Sequence, residues 1–143
     1  MSGVKLTDIV EKMNLKNLTP EVDITEREVL VPDVNRPALQ LAGFFDHFDL
    51  NRVQIIGNVE CAYLETLEDE KRVEIYQKLL EHKVPCIIFS NELQPDESFI
   101  EIAQKNDIPV FGTCKKTSSF MGELIRWLNV KLAPCISIDR KSV

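Results

Sequence analysis

The chain has 143 residues, with 17 Lys plus Arg against 23 Asp plus Glu, a net charge of −6, 44% apolar residues and five glycines. This is the length and composition of one globular domain, too apolar for a disordered chain and long enough to bury a core without metals or disulfides. The charge divides as −3, −7 and +4 over residues 1–59, 60–107 and 108–143, a dipolar surface and not the dense basic face that nucleic acid requires, so nucleic acid is not an expected partner.

In chain order, Thr7 to Met13 reads as a short helix and Arg27-Glu-Val-Leu-Val-Pro32 as a strand stopped by proline. Leu39-Gln-Leu-Ala-Gly-Phe-Phe45 is an apolar segment of undecided secondary structure. Three β-branched runs, Arg52–Gly57, Val84–Ser90 and Ile108–Gly112, are bounded by Gly, Pro or Asn and read as buried strands. Between them Glu68 to His82 is helical with Val73, Tyr76, Leu79 and Leu80 on one face, and Thr66 and Asp69 are spaced as a capping pair. Asp96 to Lys105 repeats the pattern with Phe99, Ile102 and Ala103. From Thr117 onward, Phe120, Leu124, Trp127 and Leu128, with Met121, Ile125 and Leu132 beside them, form a broad apolar stripe. A final short strand is expected at Cys135–Ile138. Alternating strands and helices at these spacings predict α/β architecture, a parallel or mostly parallel sheet with helices on both faces.

The glycines at 3, 43, 57, 112 and 122 exclude both G-x-x-x-x-G-K and G-x-G-x-x-G, so neither common phosphate-cradling loop is present. Cys61, Cys86, Cys114 and Cys135 form no C-x-x-C pair and are expected to be small buried hydrophobes. No apolar run reaches the ~20 residues of a membrane span, and the first residues lack a signal peptide's apolar centre, so a cytoplasmic protein without membrane contact is expected. His47 and His82 lie far apart in sequence, and no nucleophile–base–acid set can be assembled from them.

Ligands of open parallel sheets collect beyond the carboxyl ends of the strands. That rule selects Gly57–Glu60, Ser90-Asn-Glu92 and Gly112-Thr-Cys-Lys-Lys-Thr-Ser-Ser119. The last combines hydroxyls, two lysines and a helix start, which would suit a phosphate or carboxylate. The plainer reading is a capped helix behind a solvated loop.

Several segments, taken in order, resemble the N-terminal domain of HPr kinase/phosphorylase. They are Val31-Pro-Asp-Val-Asn-Arg-Pro-Ala-Leu-Gln-Leu-Ala-Gly-Phe-Phe45, Arg52-Val-Gln-Ile-Ile-Gly57, Tyr63-Leu-Glu-Thr-Leu67, Val84-Pro-Cys-Ile-Ile-Phe89, Ile108-Pro-Val-Phe111 and Leu132-Ala-Pro134. The resemblance runs from about Leu6 to Ile138 and implies a noncatalytic α/β domain similar to the uridine-nucleotide-binding N-terminal domain of the muramyl ligases. It implies a bacterial enzyme that phosphorylates and dephosphorylates a serine of HPr in carbon catabolite control, using ATP or pyrophosphate with Mg. In that family the chemistry belongs to a C-terminal domain, and the whole enzyme is a hexamer. Here the family's continuation gives way to Asp139-Arg-Lys-Ser-Val143, so residues 1–138 are expected to be the domain and 139–143 a polar tail at a truncation or junction. No catalytic residue, metal or cofactor is expected in this chain, and the C-terminal kinase domain is its expected partner.

The residues carried over are Asn35, Arg36, Pro37, Glu65, Thr66, Thr113, Thr117 and Ser118. With Ser90 and Lys115 from the strand-end loops, the candidate ligand-binding set is Asn35, Arg36, Glu65, Ser90, Thr113, Lys115, Thr117 and Ser118. Arg36 could clamp a carboxylate or phosphate bidentately. The plainer and favoured reading of Asn35-Arg-Pro37 is a turn in which Pro37 fixes its own φ. An independent sensor of an anionic metabolite or nucleotide with the same fold is the alternative function.

Overall fold

The computed structural model describes residues 3–133. Its elements in chain order are β1 (Val4–Lys5), α1 (Leu6–Met13), β2 (Lys16–Asn17), β3 (Glu28–Val29), β4 (Val34–Asn35) and α2 (Ala38–Leu41). There follow β5 (Val53–Ile56), α3 (Asn58–Glu65), α4 (Asp69–Leu80), β6 (Ile87–Phe89), α5 (Glu97–Lys105), β7 (Val110–Gly112) and α6 (Thr117–Leu132). β1 and β3 form an antiparallel ribbon, and the main sheet has the order β2-β7-β6-β5-β4. Four of its strands are parallel, and β2 joins β7 antiparallel at one edge. The expected mostly parallel sheet between two helical layers is therefore present.

Register and alternation divide the core in two. Ile55, Ile88 and Phe111 are paired neighbours across β5, β6 and β7, and with Val53 and Cys86 they face α1 and α6, through Leu6, Ile9, Met13, Phe120, Leu124 and Leu128. Neighbouring residues on each strand point the other way. Ile56, Ile87, Phe89 and Val110 accordingly pack with Leu41, Leu64, Tyr76, Leu79, Leu80, Phe99 and Ala103 of α2 to α5. Strand order follows chain order from β4 to β7, so crossovers of one hand place every connecting helix on one face. The helices that are not crossovers, α1 and α6, cover the other.

Several sequence expectations change. The strand expected over Arg27–Pro32 contracts to Glu28–Val29 and lies in the ribbon outside the main sheet. Val29 is fully buried while Leu30 is exposed, so the run has only one inward residue to hold it. The segment of undecided state is the single turn α2, closed by Gly43 at φ 101. The Gly43 N–H donates to the Gln40 carbonyl and the Phe44 N–H to the Leu39 carbonyl, each at 2.9 Å, the paired closure that a left-handed glycine makes possible.

Thr66 does not cap α4. It ends α3, its hydroxyl donating to the Tyr63 carbonyl at 2.6 Å, and α4 begins at Asp69, with Glu68 at the cap position and no side-chain cap. Arg72 spans the junction instead, donating from Nη1 to the carbonyl of Leu64 in the last turn of α3 (3.2 Å) and to that of Leu67 in the connection to α4 (3.0 Å). Ile75 takes the buried place expected of Val73, which is half-buried. Of the cysteines, Cys86 is buried, Cys61 is intermediate and Cys114 is exposed, so Cys114 is not the small buried hydrophobe expected. The expected strand at Cys135–Ile138 and the 139–143 tail lie outside the described residues. Among the described residues no helix is long and apolar enough to cross a membrane.

Candidate functional site

The carboxyl ends of β4, β5, β6 and β7 deliver Arg36, Gly57, Ser90 and Thr113 to one edge of the sheet. Their arrangement is governed by Glu60, in the first turn of α3, which is 2% exposed. Its Oε1 accepts the Gly57 N–H at 2.9 Å, half of a capping box. The same carboxylate receives Arg36 bidentately, Nε to Oε2 at 2.9 Å and Nη2 to Oε1 at 2.7 Å. A buried carboxylate needs such a partner. The clamp expected of Arg36 is thus occupied from within the chain.

Gly57 lies beneath this pair with no room for a side chain. A Cβ there would stand 2.7 Å from Thr117 Oγ1 and 2.9 Å from Arg36 Nη2. The buried Ser90 hydroxyl donates to the Ile56 carbonyl at 3.2 Å. With that proton committed, the 2.6 Å contact between the two hydroxyls has Thr117 Oγ1 donating to Ser90 Oγ. One hydrogen bond therefore links the end of β6 to the first residue of α6.

The next loops interlock through the backbone. Asn91 and Glu92 both have left-handed φ, 59° and 58°, a conformation that costs a non-glycine residue about 1–2 kcal/mol. Their N–H groups donate to the carbonyls of Lys115 (2.7 Å) and Thr113 (2.9 Å), which offsets that strain. Thr113 is buried, and its Oγ1 accepts the Lys115 N–H at 3.2 Å. Lys115 Nζ donates to Glu123 at 2.8 Å, and that hydrogen bond holds the Glu123 carboxyl below the ordinary carboxylate range.

Six of the eight predicted residues, Arg36, Ser90, Thr113, Lys115, Thr117 and Ser118, thus fall at one end of the sheet. Asn35 adjoins them in sequence but turns inward, its half-buried Nδ2 donating to the buried amides of Gln54 (2.7 Å) and Gln40 (3.1 Å). Glu65 lies at the opposite end of α3, against a different pocket. Glu60 and Gly57 were selected only as part of a strand-end loop. The segment is a helix from Asn58, and Gly57-x-x-Glu60 is the spacing that signals it.

Arg36, Asn58, Val59, Asn91, Lys116, Thr117 and Ser118 line a cleft of about 390 Å³. α3 and α6 both start here without a side-chain cap, so first-turn N–H groups of two helices face the same space, a setting that favours negative charge. With Arg36 paired to Glu60 and Lys115 to Glu123, Lys116 is the exposed cation of the cleft. The Thr117 hydroxyl of the cleft is engaged with Ser90. His82 lies elsewhere, stacked on Phe45 with ring centroids 4.6 Å apart. Among the described residues no group of three or more His, Cys, Asp or Glu could hold a metal ion.

The family model described as HPr Serine kinase N terminus matches residues 4–128. The chain belongs to that family. It is 55% identical over 138 residues to the HPr kinase/phosphorylase of Lachnoclostridium phytofermentans, covering 96% of this chain and 45% of that protein. It is 40% identical over 129 residues to that of Caldicellulosiruptor bescii, covering 90% and 42%, and 32% identical over 136 residues to that of Listeria innocua, covering 95% and 43%. The chain spans less than half the length of these curated relatives. Among solved structures it is similar to the CBS and DRTGG domains of the regulatory region of a Clostridium perfringens pyrophosphatase, determined with its activator, diadenosine tetraphosphate. That likeness has a TM-score of 0.61 at 22% identity over 87% of this chain and 47% of the other, and it shows the fold.

The close contact at Gly57 gives a two-sided prediction within the family fold. Gly57→Ala must displace Arg36 and Thr117 and is expected to lower stability by about 1–3 kcal/mol. Gly122→Ala, in the interior of α6 with nothing within 4 Å of a new Cβ, should raise it by about 0.5–1 kcal/mol. Urea unfolding of the two variants beside the parent chain checks both signs.

Proposed function

We propose that this chain is the noncatalytic, regulatory or assembly domain of an HPr kinase/phosphorylase, the bifunctional enzyme that phosphorylates and dephosphorylates a serine of HPr in carbon catabolite control. The observation that carries the reading is a family match over residues 4–128 in a chain that spans under half the length of its relatives. The strand-end geometry supports it, since Arg36, Ser90, Lys115 and Thr117 are engaged with partners inside the chain and pair as positioning groups. On this reading residues 1–138 form the domain and work in the cytoplasm. A C-terminal kinase domain supplies the chemistry with ATP or pyrophosphate and Mg, and HPr and like copies meet this domain within the whole oligomeric enzyme. Incubated with HPr, ATP and magnesium, this chain should yield no phosphoserine while a full-length relative does. Phosphorylation of HPr by this chain alone would overturn the proposal.

A second reading has its own support. The pyrophosphatase regulatory region that shares the fold was determined with a nucleotide activator, and the cleft at the starts of α3 and α6 favours an anion. This domain would then sense an anionic metabolite or nucleotide, and the finer likeness to the uridine-nucleotide-binding domain of the muramyl ligases belongs to the same proposal. In a thermal-shift screen of nucleotides, sugar phosphates and pyrophosphate, a true ligand at 100 times its Kd adds about 2.7 kcal/mol. Lys116→Ala should weaken that response; an undiminished response in this variant would place the ligand outside the cleft.

A further inference from the structure

Four of the seven large hydrophobic side chains exposed among the described residues, Leu39, Phe44, Val59 and Tyr63, lie on α2, on the turn that follows it and on α3, with exposures from 39% to 67%. They border one surface. Tyr63 lines the same groove as Ala42 and Gly43, and the Phe44 N–H is bonded to the Leu39 carbonyl. The other exposed positions there, Ala38, Ala42, Gly43 and Ala62, are small, and no residue from Pro37 to Phe45 is charged. On α3, Val59, Ala62 and Tyr63 are spaced i, i+3 and i+4 and so share a side, away from the buried Glu60 and Leu64. An exposed apolar face rimmed by charge marks an interaction surface.

The charges at the two ends of α3 decide the occupant. The helix begins beside Lys116, which lines the same cleft as Val59, and it ends at Glu65, with Glu68 just beyond. All three of these side chains are exposed and stand outside the salt bridges of the described residues. The helix dipole adds positive charge at the Lys116 end and negative charge at the Glu65 end. The outward strip of α3 is therefore cationic at its start, apolar in its middle and anionic at its end. A partner of uniform charge would be repelled at one of those ends. A second copy is not, because a twofold axis at Ala62 lays its α3 antiparallel on the first, each Lys116 end meeting the other copy's Glu65 and Glu68. The small side chain of Ala62 lets the helices approach at the axis, with Val59 and Tyr63 around it.

We propose that two copies of this chain pair through this face, α3 against α3 across a twofold axis. The pairing gives a surface to the assembly role proposed above and rests on that reading; its test reads association and not phosphoryl transfer, so the two fail separately. Sedimentation velocity of the full 143-residue chain over a concentration series should show monomer and dimer in exchange. Ala62→Arg, at an exposed position where the axis would bring two guanidinium groups together, should leave only monomer with an unchanged circular dichroism spectrum. Lys116→Glu and Glu65→Lys each set like charges against one another at both ends of the paired helices, and each should weaken the dimer roughly tenfold. An equimolar mixture of those two variants should regain the parental affinity, since each chain then meets opposite charge at both ends. Monomer at every concentration, a dimer undiminished by Ala62→Arg, or a mixture that associates no more tightly than either charge variant alone would each overturn the assignment.

Discussion

The carboxylate of Glu60 is the constraint on which the functional end of this fold depends. It is 2% exposed, and a buried carboxylate without partners costs several kcal/mol. Three donors meet it: two from Arg36 at the end of β4 and the backbone N–H of Gly57 at the end of β5. The close approach of Arg36 and Thr117 to Gly57 extends the constraint to α6, and the Thr117 to Ser90 bond extends it to β6. The edge strand β4 has only two residues. Its place beside β5 is secured by this ion pair and by the hydrogen bonds of Asn35 to the buried Gln40 and Gln54.

The parts of the fold legible in the sequence are those with a period or a long β-branched run. β5, β6 and β7 are such runs, and α4, α5 and α6 repeat apolar residues at helical spacing, so their existence and order could be read directly. β1, β2 and β4 have two residues each, too few to show alternation; tertiary pairing alone makes them strands. α3 hides for a different reason. Its inward face is Glu60 and Leu64, so one of its two buried positions carries a charge, and an apolar pattern cannot form.

The candidate site was legible by location more than by role. The rule that ligands gather at strand ends points to the loops that carry Ser90, Thr113 and Thr117, and these lie at one end of the sheet together with Arg36, because the rule follows from topology. What each side chain does depends on partners distant in sequence. Arg36 looks like a ligand clamp until Glu60, 24 residues away, is found holding it. Lys115 resembles a phosphate ligand until Glu123 takes its ammonium. Asn35 and Glu65 belong to the same short motifs as their neighbours, yet a turn of the strand or of the helix carries them elsewhere. α3 is then the element shared by two environments, its first residues beside the strand-end cleft and its last beside the pocket lined by Tyr76, Asp96 and Phe99.

The central claim is that Glu60 and Arg36 act as one unit in tying the strand ends together. A double-mutant cycle of Arg36→Met, Glu60→Gln and the double variant, measured by urea unfolding, tests it most directly. Because Arg36 is a third exposed (33%), the full penalty of about 3–5 kcal/mol for breaking a buried pair must be discounted. The account predicts that each single variant is destabilised and that the coupling energy is about 1–2 kcal/mol. Additivity within about 0.3 kcal/mol would contradict it, leaving β4 and α3 held independently of one another.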